Sequence, residues 1–262
     1  MVLDEIVKAK WKEISLAKKR VPLDLLKRRM EGIPQPRDLR AALQKRPVAI
    51  IAEIKRRSPS AGWIRQDMNP VDVAASYQRA GAAAISVLTE EKFFGGHPNF
   101  LEAVRQRVSI PVLRKDFILE PYQLYESRVL GADAVLLIAA LLEGGRLAEM
   151  VSLARTLGLC PLVEVHQRGE LSRALRAGAE VIGINNRDLR TLTTDLQVTL
   201  HLAPLVGSQV TLVTESGIRH REDLRRLLHV GVRAFLVGEA LMRAKDPEAK
   251  LKELLGKKNS TA

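Results

Sequence analysis

Four times along this chain a helix-like segment runs into a glycine, a small residue and then a short apolar run. The four stretches are "RAGAAAISVL", "VLGADAVLLI", "RAGAEVIGIN" and "HVGVRAFLVG", and their glycines are Gly81, Gly131, Gly178 and Gly231. Glycine suits the left-handed residue that closes a helix before a tight turn into a strand. Each of these units precedes every second one of eight apolar runs bounded by breakers: 48–54, 83–89, 111–116, 133–139, 161–166, 181–186, 210–216 and 234–239. Amphipathic segments long enough for a helix, such as 70–80 and 168–177, lie between them. Strands alternating with helices pair in parallel through right-handed crossovers. Eight units in about 215 residues predict an α/β chain closed as a (β/α)8 barrel of the TIM type. An open doubly wound sheet is the alternative, but no Gly-rich dinucleotide fingerprint follows the first run.

The expected organisation is one barrel domain over 1–262, with 1–47 as an N-terminal helical extension and 256–262 as a frayed polar tail. Within the extension, Leu3, Ile6, Val7, Trp11, Ile14 and Leu16 mark a helical face over 3–19 that would pack on the barrel. Pro22 and the Pro34-Gln35-Pro36 stretch punctuate its connection to the first strand. The single cysteine, Cys160, excludes an intramolecular disulfide and fits a reducing compartment. The longest clean apolar run, 134–142, is far shorter than the roughly 20 residues that span a bilayer. A soluble, cytoplasmic, monomeric protein with no membrane partner is expected.

A formal net charge of +12 invites a nucleic-acid reading. Aromatic residues, however, make up only 4% of the chain, which leaves little on which to stack bases. The basic runs also fall on helix-like faces, so attraction for a small anionic substrate is the better reading, with no nucleic acid as partner.

The polar residues fall at the C-terminal ends of the apolar runs: Glu53 and Lys55, Thr89 and Glu90, Lys115 and Asp116, Glu164 and His166, Asn185 and Asn186, Glu215 and Ser216. In a barrel these ends converge at one mouth, where the loops build the active site. Side chains alternate along a strand, so Glu53 and Lys55 share a face, as do Leu162, Glu164 and His166. Buried charges must pair or hold a charged ligand, and unequal environments can make one group an acid and another a base. Turn glycines in "TESGI" (214–218) and "VGEALM" (237–242) place backbone N–H groups after the seventh and eighth strands, where barrels bind phosphate. The five histidines lie apart with no metal-ligand spacing, so no metal and no organic cofactor is expected; His166 reads as structural. Cys160 sits at the wrong end of its strand for a nucleophile. The residues alone thus point to acid–base chemistry on a small phosphorylated substrate.

Eight motifs in order, "IIAEIKRRSPSAG", "LTEEKFFGG", "VLRKDFI", "GADAVLLIAALL", "LVEVH", "IGINNRDL", "TESGI" and "VGEALM", resemble the indole-3-glycerol phosphate synthase family of tryptophan biosynthesis. The resemblance spans nearly the whole chain, extension included. It implies a carboxy-lyase that cyclises 1-(2-carboxyphenylamino)-1-deoxyribulose 5-phosphate with loss of carbon dioxide and water. It further implies Lys115 as the acid that protonates the ketone and Glu164 as general base or stabiliser of the cationic intermediate. Glu53, Lys55 and Asn185 would orient hydroxyls and help expel water, the dehydration acid staying open between Lys55 and Glu53. Glu215 would hold Lys115 or Lys55. Ser216, Gly217, Gly238 and Glu239, with Lys55 and Ser58, would surround the phosphate. Phe94, Phe117, Leu136 and Leu189 would line the anthranilate pocket, with Arg187 meeting its carboxylate. Glu239 stands where a small residue is also common, and its side chain would repel phosphate at close range. The loop 56–69 is expected to act as a lid. Rival readings are phosphoribosylanthranilate isomerase, whose Cys/Asp pair is not apparent here, a Schiff-base aldolase or isomerase, and a basic nucleic-acid binder.

Overall fold

All eight apolar runs become strands, with bounds within two residues of those expected. A computed structural model describes residues 2–188 and 190–257. The strands are β1 (Ala49–Ile54), β4 (Ala84–Leu88), β5 (Val112–Lys115), β6 (Ala134–Ile138), β7 (Cys160–Val165), β8 (Val181–Asn185), β9 (Thr211–Glu215) and β10 (Ala234–Val237). Every neighbouring pair is parallel, and β1 pairs with both β4 and β10, which closes the barrel. Helices α4 (Pro70–Ala80), α5 (Pro98–Arg107), α6 (Pro121–Val129), α7 (Arg146–Thr156), α8 (Arg168–Arg176), α9 (Gln197–Leu202), α10 (Arg221–Leu228), α11 (Glu239–Arg243) and α12 (Pro247–Leu255) follow the strands. The four repeat glycines all take positive φ, at 104°, 81°, 74° and 86°, as the turn requires.

Two apolar layers follow from the two-residue period of the strands. Ile50, Ile85, Val135, Val163, Ile182 and Phe235 point outward to the helices. Ala49, Ile51, Leu113, Leu136, Leu162, Val213 and Leu236 point inward and fill the barrel. The inner layer ends in small or charged residues toward the C-terminal mouth.

The extension forms α1 (Val2–Arg20), α2 (Leu23–Arg29) and α3 (Leu39–Gln44). Leu39 and Leu43 of α3 are buried against the lower inner layer and seal the N-terminal mouth. Gln44 there bonds Thr211 at the start of β9 (2.9 Å), and the Arg37 N–H bonds the buried Asp133 ahead of β6 (2.7 Å). Cys160, the first residue of β7, lies at this sealed end, and burial pushes its thiol up to about 12.

The face expected for α1 needs correction. Ile6 and Ile14 are buried, but Trp11 and Leu16 are 46% and 53% exposed. The buried stripe runs through positions 6, 10 and 14, so Lys10 occupies its centre and is only 1% exposed. An i, i+4 stripe faces one side of a helix, and Lys10 is tolerated on it because carboxylates meet its ammonium. At the other end, Gly256 closes α12 in the left-handed region and Lys257 bonds the Ala80 carbonyl (2.9 Å). The remainder of the expected tail, 258–262, lies outside the described residues. Within 56–69 the chain folds a short antiparallel hairpin, β2 (Arg57–Ser58) with β3 (Gly62–Trp63).

Candidate active site

The C-terminal mouth opens into a cavity of about 600 Å3, a size suited to a small ligand. Glu53, Lys115, Glu164 and Glu215 project into it from β1, β5, β7 and β9, with Lys55 just beyond β1. Lys115 Nζ lies 3.1 Å from Glu164 Oε2 and 2.9 Å from Glu215 Oε2. Lys55 Nζ lies 2.7 Å from Glu53 Oε1. Asn185 hydrogen-bonds the Glu164 carboxylate, and its Oδ1 accepts the Arg187 N–H at 3.0 Å.

Two glycines make this crowding possible. A Cβ on Gly183 of β8 would run into Glu215 Oε1 and come within 3.3 Å of Leu162. A Cβ on Gly238 would run into Glu53 Oε1 and come within 3.1 Å of its Cβ. Neither has a left-handed φ; each is small because a buried carboxylate takes the space.

Burial and charge act in opposite directions on these groups. Burial pulls the Lys115 ammonium down, but Glu164, Glu215 and Glu53 outweigh it and hold the lysine protonated well above its usual range. Burial likewise raises Glu53 and Glu164, yet Lys55 and Lys115 bring Glu53 below its ordinary value, and Lys115 and His166 do so for Glu164. Glu215 goes the other way: burial, with Glu164 and Glu53 nearby, outweighs Lys115 and raises it. Its Oε1 has no hydrogen-bond partner among the described residues. The mouth therefore holds two carboxylates favoured as anions and a third, Glu215, whose proton affinity is raised.

Beyond β9, Ser216 and Gly217 both adopt positive φ, 65° and 83°. A non-glycine residue in that region persists only where its surroundings hold it. Asn186 pins this turn, its amide nitrogen donating to the Glu215 and Ser216 carbonyls at 2.9 and 3.1 Å. Gly238 leads into α11 on the adjacent loop. The Glu239 side chain is drawn to Arg243 (3.0 Å) and Arg187 (3.4 Å). Burial raises its pKa, but these arginines outweigh it and keep it low, so its negative charge is matched within the protein. Arg187 also bonds Ser60 on the β2–β3 hairpin, linking the loops after β1, β8 and β10. Ser58 is buried, and its Oγ accepts the Ala61 N–H (3.1 Å).

The apolar wall is formed by Phe94, Phe117, Leu136 and Ile138, with the two phenylalanine rings 6.0 Å apart and tilted. Glu90 serves this wall: its carboxylate accepts the Phe93 and Phe94 N–H groups at 2.7 and 3.0 Å. Leu189, expected in this pocket, lies outside the described residues. The sequence offered no sign that Val2, Leu3 and Ile6 of α1 also reach the cavity; their placement depends on where the extension docks. Among the described residues no three His, Cys, Asp or Glu side chains converge as a metal site, and no helix is long and apolar enough to cross a membrane.

On the opposite side of β5 lies a second charge cluster. Lys10 Nζ is 2.8 Å from both Asp116 Oδ1 and Glu13 Oε2. Arg114 reaches Asp116 at 3.1 Å and Glu126 at 2.8 Å. Asp116 further accepts the Thr89 hydroxyl (2.5 Å) and the Phe117 N–H (2.8 Å). The extension is thus tied to the residues on either side of Lys115.

Comparison with known proteins decides the family. A family profile described as indole-3-glycerol phosphate synthase matches residues 3–254. The chain belongs to the indole-3-glycerol phosphate synthase family. It is 49% identical to the enzyme of that name from Carboxydothermus hydrogenoformans, over 97% of this chain and all of that one. It is 48% identical to the Acidovorax enzyme over 97% of this chain and 98% of its relative. A solved 3-hexulose-6-phosphate synthase shares the fold at a TM-score of 0.64 and 15% identity, covering 80% of this chain and 99% of that one. The activity of this chain is that of the indole-3-glycerol phosphate synthases, a carboxy-lyase reaction of tryptophan biosynthesis.

Proposed function

We propose that ring closure takes place at the C-terminal mouth, with Lys115 as the proton donor. The observation that carries this reading is the clamp of Lys115 between Glu164 and Glu215. The substrate's phosphate lies on the Ser216, Gly217, Gly238 and Glu239 backbone groups, with Lys55 and Ser58 adjacent, and its anthranilate ring lies against Phe94, Phe117 and Leu136.

In the first step the ring carbon bearing the carboxylate attacks the ketone carbon, and the carbonyl oxygen takes a proton from Lys115 to become a hydroxyl. The ring and its nitrogen then carry positive charge, which the preorganised Glu164 carboxylate stabilises. Loss of carbon dioxide returns the carbon–carbon bonding pair to the ring system and discharges that cation. The apolar wall favours this step by solvating the carboxylate poorly. In the last step the hydroxyl, positioned by Asn185, takes a proton from Lys55 or Glu53 and leaves as water, while Glu164 as base removes a proton from the adjacent CH2 carbon and that C–H pair becomes the indole double bond. Arg187 exchanges its Ser60 and Glu239 contacts for the substrate carboxylate.

A Schiff-base aldolase would need a neutral amine, whereas the carboxylates around Lys115 favour the ammonium. The test is to incubate the purified protein with 1-(2-carboxyphenylamino)-1-deoxyribulose 5-phosphate and follow indole fluorescence. Lys115→Ala is expected to lower turnover by roughly 10²–10⁴-fold with substrate binding still measurable. Near-normal turnover in that variant would remove Lys115 from the chemistry.

A further inference from the structure

His166 follows β7 on the same inward parity as Glu164 and has no part in the steps above. Its backbone N–H donates to Glu170 Oε2 at 2.7 Å, and its Nδ1 faces the same oxygen at 3.4 Å. Glu170 is itself fixed: Gln167 donates to its other oxygen at 3.0 Å, and it stands in the first turn of α8, where the helix dipole favours a carboxylate. The ring is therefore held from behind. Its far nitrogen, Nε2, is buried, lacks a hydrogen-bond partner among the described residues, and lies 3.4 Å from Glu164 Oε1. That separation is just beyond a good N–H···O bond, and a small ring rotation closes it. Glu164 is gripped by Lys115 through the opposite oxygen, Oε2.

We propose that His166 is a positioning residue for Glu164: seated on Glu170, it presents Nε2–H to Glu164 Oε1 and holds that carboxylate oriented and ionised during ring closure. This rests on the reading that Glu164 faces the cationic ring. The need for such a residue follows from the proton count. While Lys115 is an ammonium it holds Glu164 as an anion, but the step that creates the cationic ring is the step in which Lys115 gives its proton away. A second donor on Glu164 keeps the anion in place at that moment. The groups facing His166 agree in sign: Glu164 from β7, Glu170 from α8, Glu215 from β9, and Asp188 after β8 at longer range. Burial pulls the imidazolium down, but these carboxylates outweigh it and favour the protonated ring. Lys115 acts on Glu164 through the oxygen far from the ring, Oε2.

Two measurements test this on the full-length protein. The first is the imidazole titration of His166, followed by nitrogen-labelled NMR and assigned by its loss in His166→Gln. It is expected above the free imidazole value of about 6.5 and to move down in both Glu164→Gln and Glu170→Gln. The second is the pH profile of kcat. His166→Gln is expected to lower kcat about tenfold at pH 7, leave KM within about twofold, and shift the acid limb up by about one pH unit, the equivalent of a tenfold change. Thermal unfolding of each variant confirms that it is folded. A His166 titration unmoved by Glu164→Gln, or a His166→Gln profile that superimposes on the wild type, overturns the proposal. If instead Glu164→Gln retains full turnover, the catalytic reading of Glu164 fails while the NMR arm still reports whether the contact exists.

Discussion

Two buried charge clusters lie back to back on β5, one on each side of a single strand. Lys115 faces the cavity with Glu53, Glu164 and Glu215, while Arg114 and Asp116 face outward to Lys10, Glu13 and Glu126. In the outer cluster Asp116 is ion-paired with Lys10 through one oxygen, which also accepts the Phe117 N–H, and meets Arg114 and Thr89 through the other, so both its oxygens are partnered. Burial raises its pKa, but Lys10 and Arg114 outweigh it and bring the carboxyl well below the usual range. In the inner cluster Glu215 keeps one oxygen unpartnered among the described residues and is raised instead. A saturated cluster locks one geometry, whereas an unsaturated one leaves protons and charges free to be redistributed when a substrate arrives. Adjacent residues on one strand thus divide the work, and the two-residue period of the strand is what separates them.

The largest stability effect is expected on the outer side. Asp116→Ala leaves Lys10 and Arg114 buried beside a lost partner and should cost about 3–5 kcal/mol in denaturant unfolding. The sign with pH follows from the depressed carboxyl. Its contribution is fully present above the unfolded value near 4 and is lost as pH falls through the lower folded value. The penalty of Asp116→Ala should therefore shrink below about pH 4. A penalty independent of pH across that range would contradict the pairing.

A smaller contrast lies along α1. Ile14→Ala removes a buried side chain and should cost about 2–5 kcal/mol, and Leu16→Ala, on the exposed side, should stay within about 0.5 kcal/mol. Equal losses at the two positions would restore the helical face read from hydrophobic spacing.

Most of the barrel was legible because its signals are local. Gly81, Gly131, Gly178 and Gly231 are demanded by turn geometry, and apolar runs of strand length need no tertiary information. The mouth was legible for the same reason: Glu53, Lys115, Glu164 and Glu215 each end a run whose inward parity can be counted. What escaped the sequence depends on which elements meet. Lys10 looks like any helix-surface lysine until Asp116 is placed beneath it, and Trp11 looks like core until the stripe is seen to pass through Lys10 instead. Gly183 sits mid-strand with no turn to explain it; the Glu215 carboxylate occupying its side-chain space supplies the reason. The facing of His166 toward Glu164 and the sealing of the lower mouth by Leu39 and Leu43 also appear only in three dimensions.

The division of labour on β5 is tested most directly by titrating Glu215 itself, as a carboxyl stretch in infrared difference spectra of the wild type against Glu215→Gln. Burial among carboxylates should bring it to about 7. A group raised in the folded state stabilises most below its unfolded value of about 4.3 and loses that contribution as pH rises through the folded one. Glu215→Gln should therefore unfold at a higher temperature than wild type at pH 8 and show no such gain near pH 4. A Glu215 that titrates in the ordinary carboxylate range near 4 would place it with Asp116 among the saturated, structural charges and contradict the distinction between the two faces of the strand.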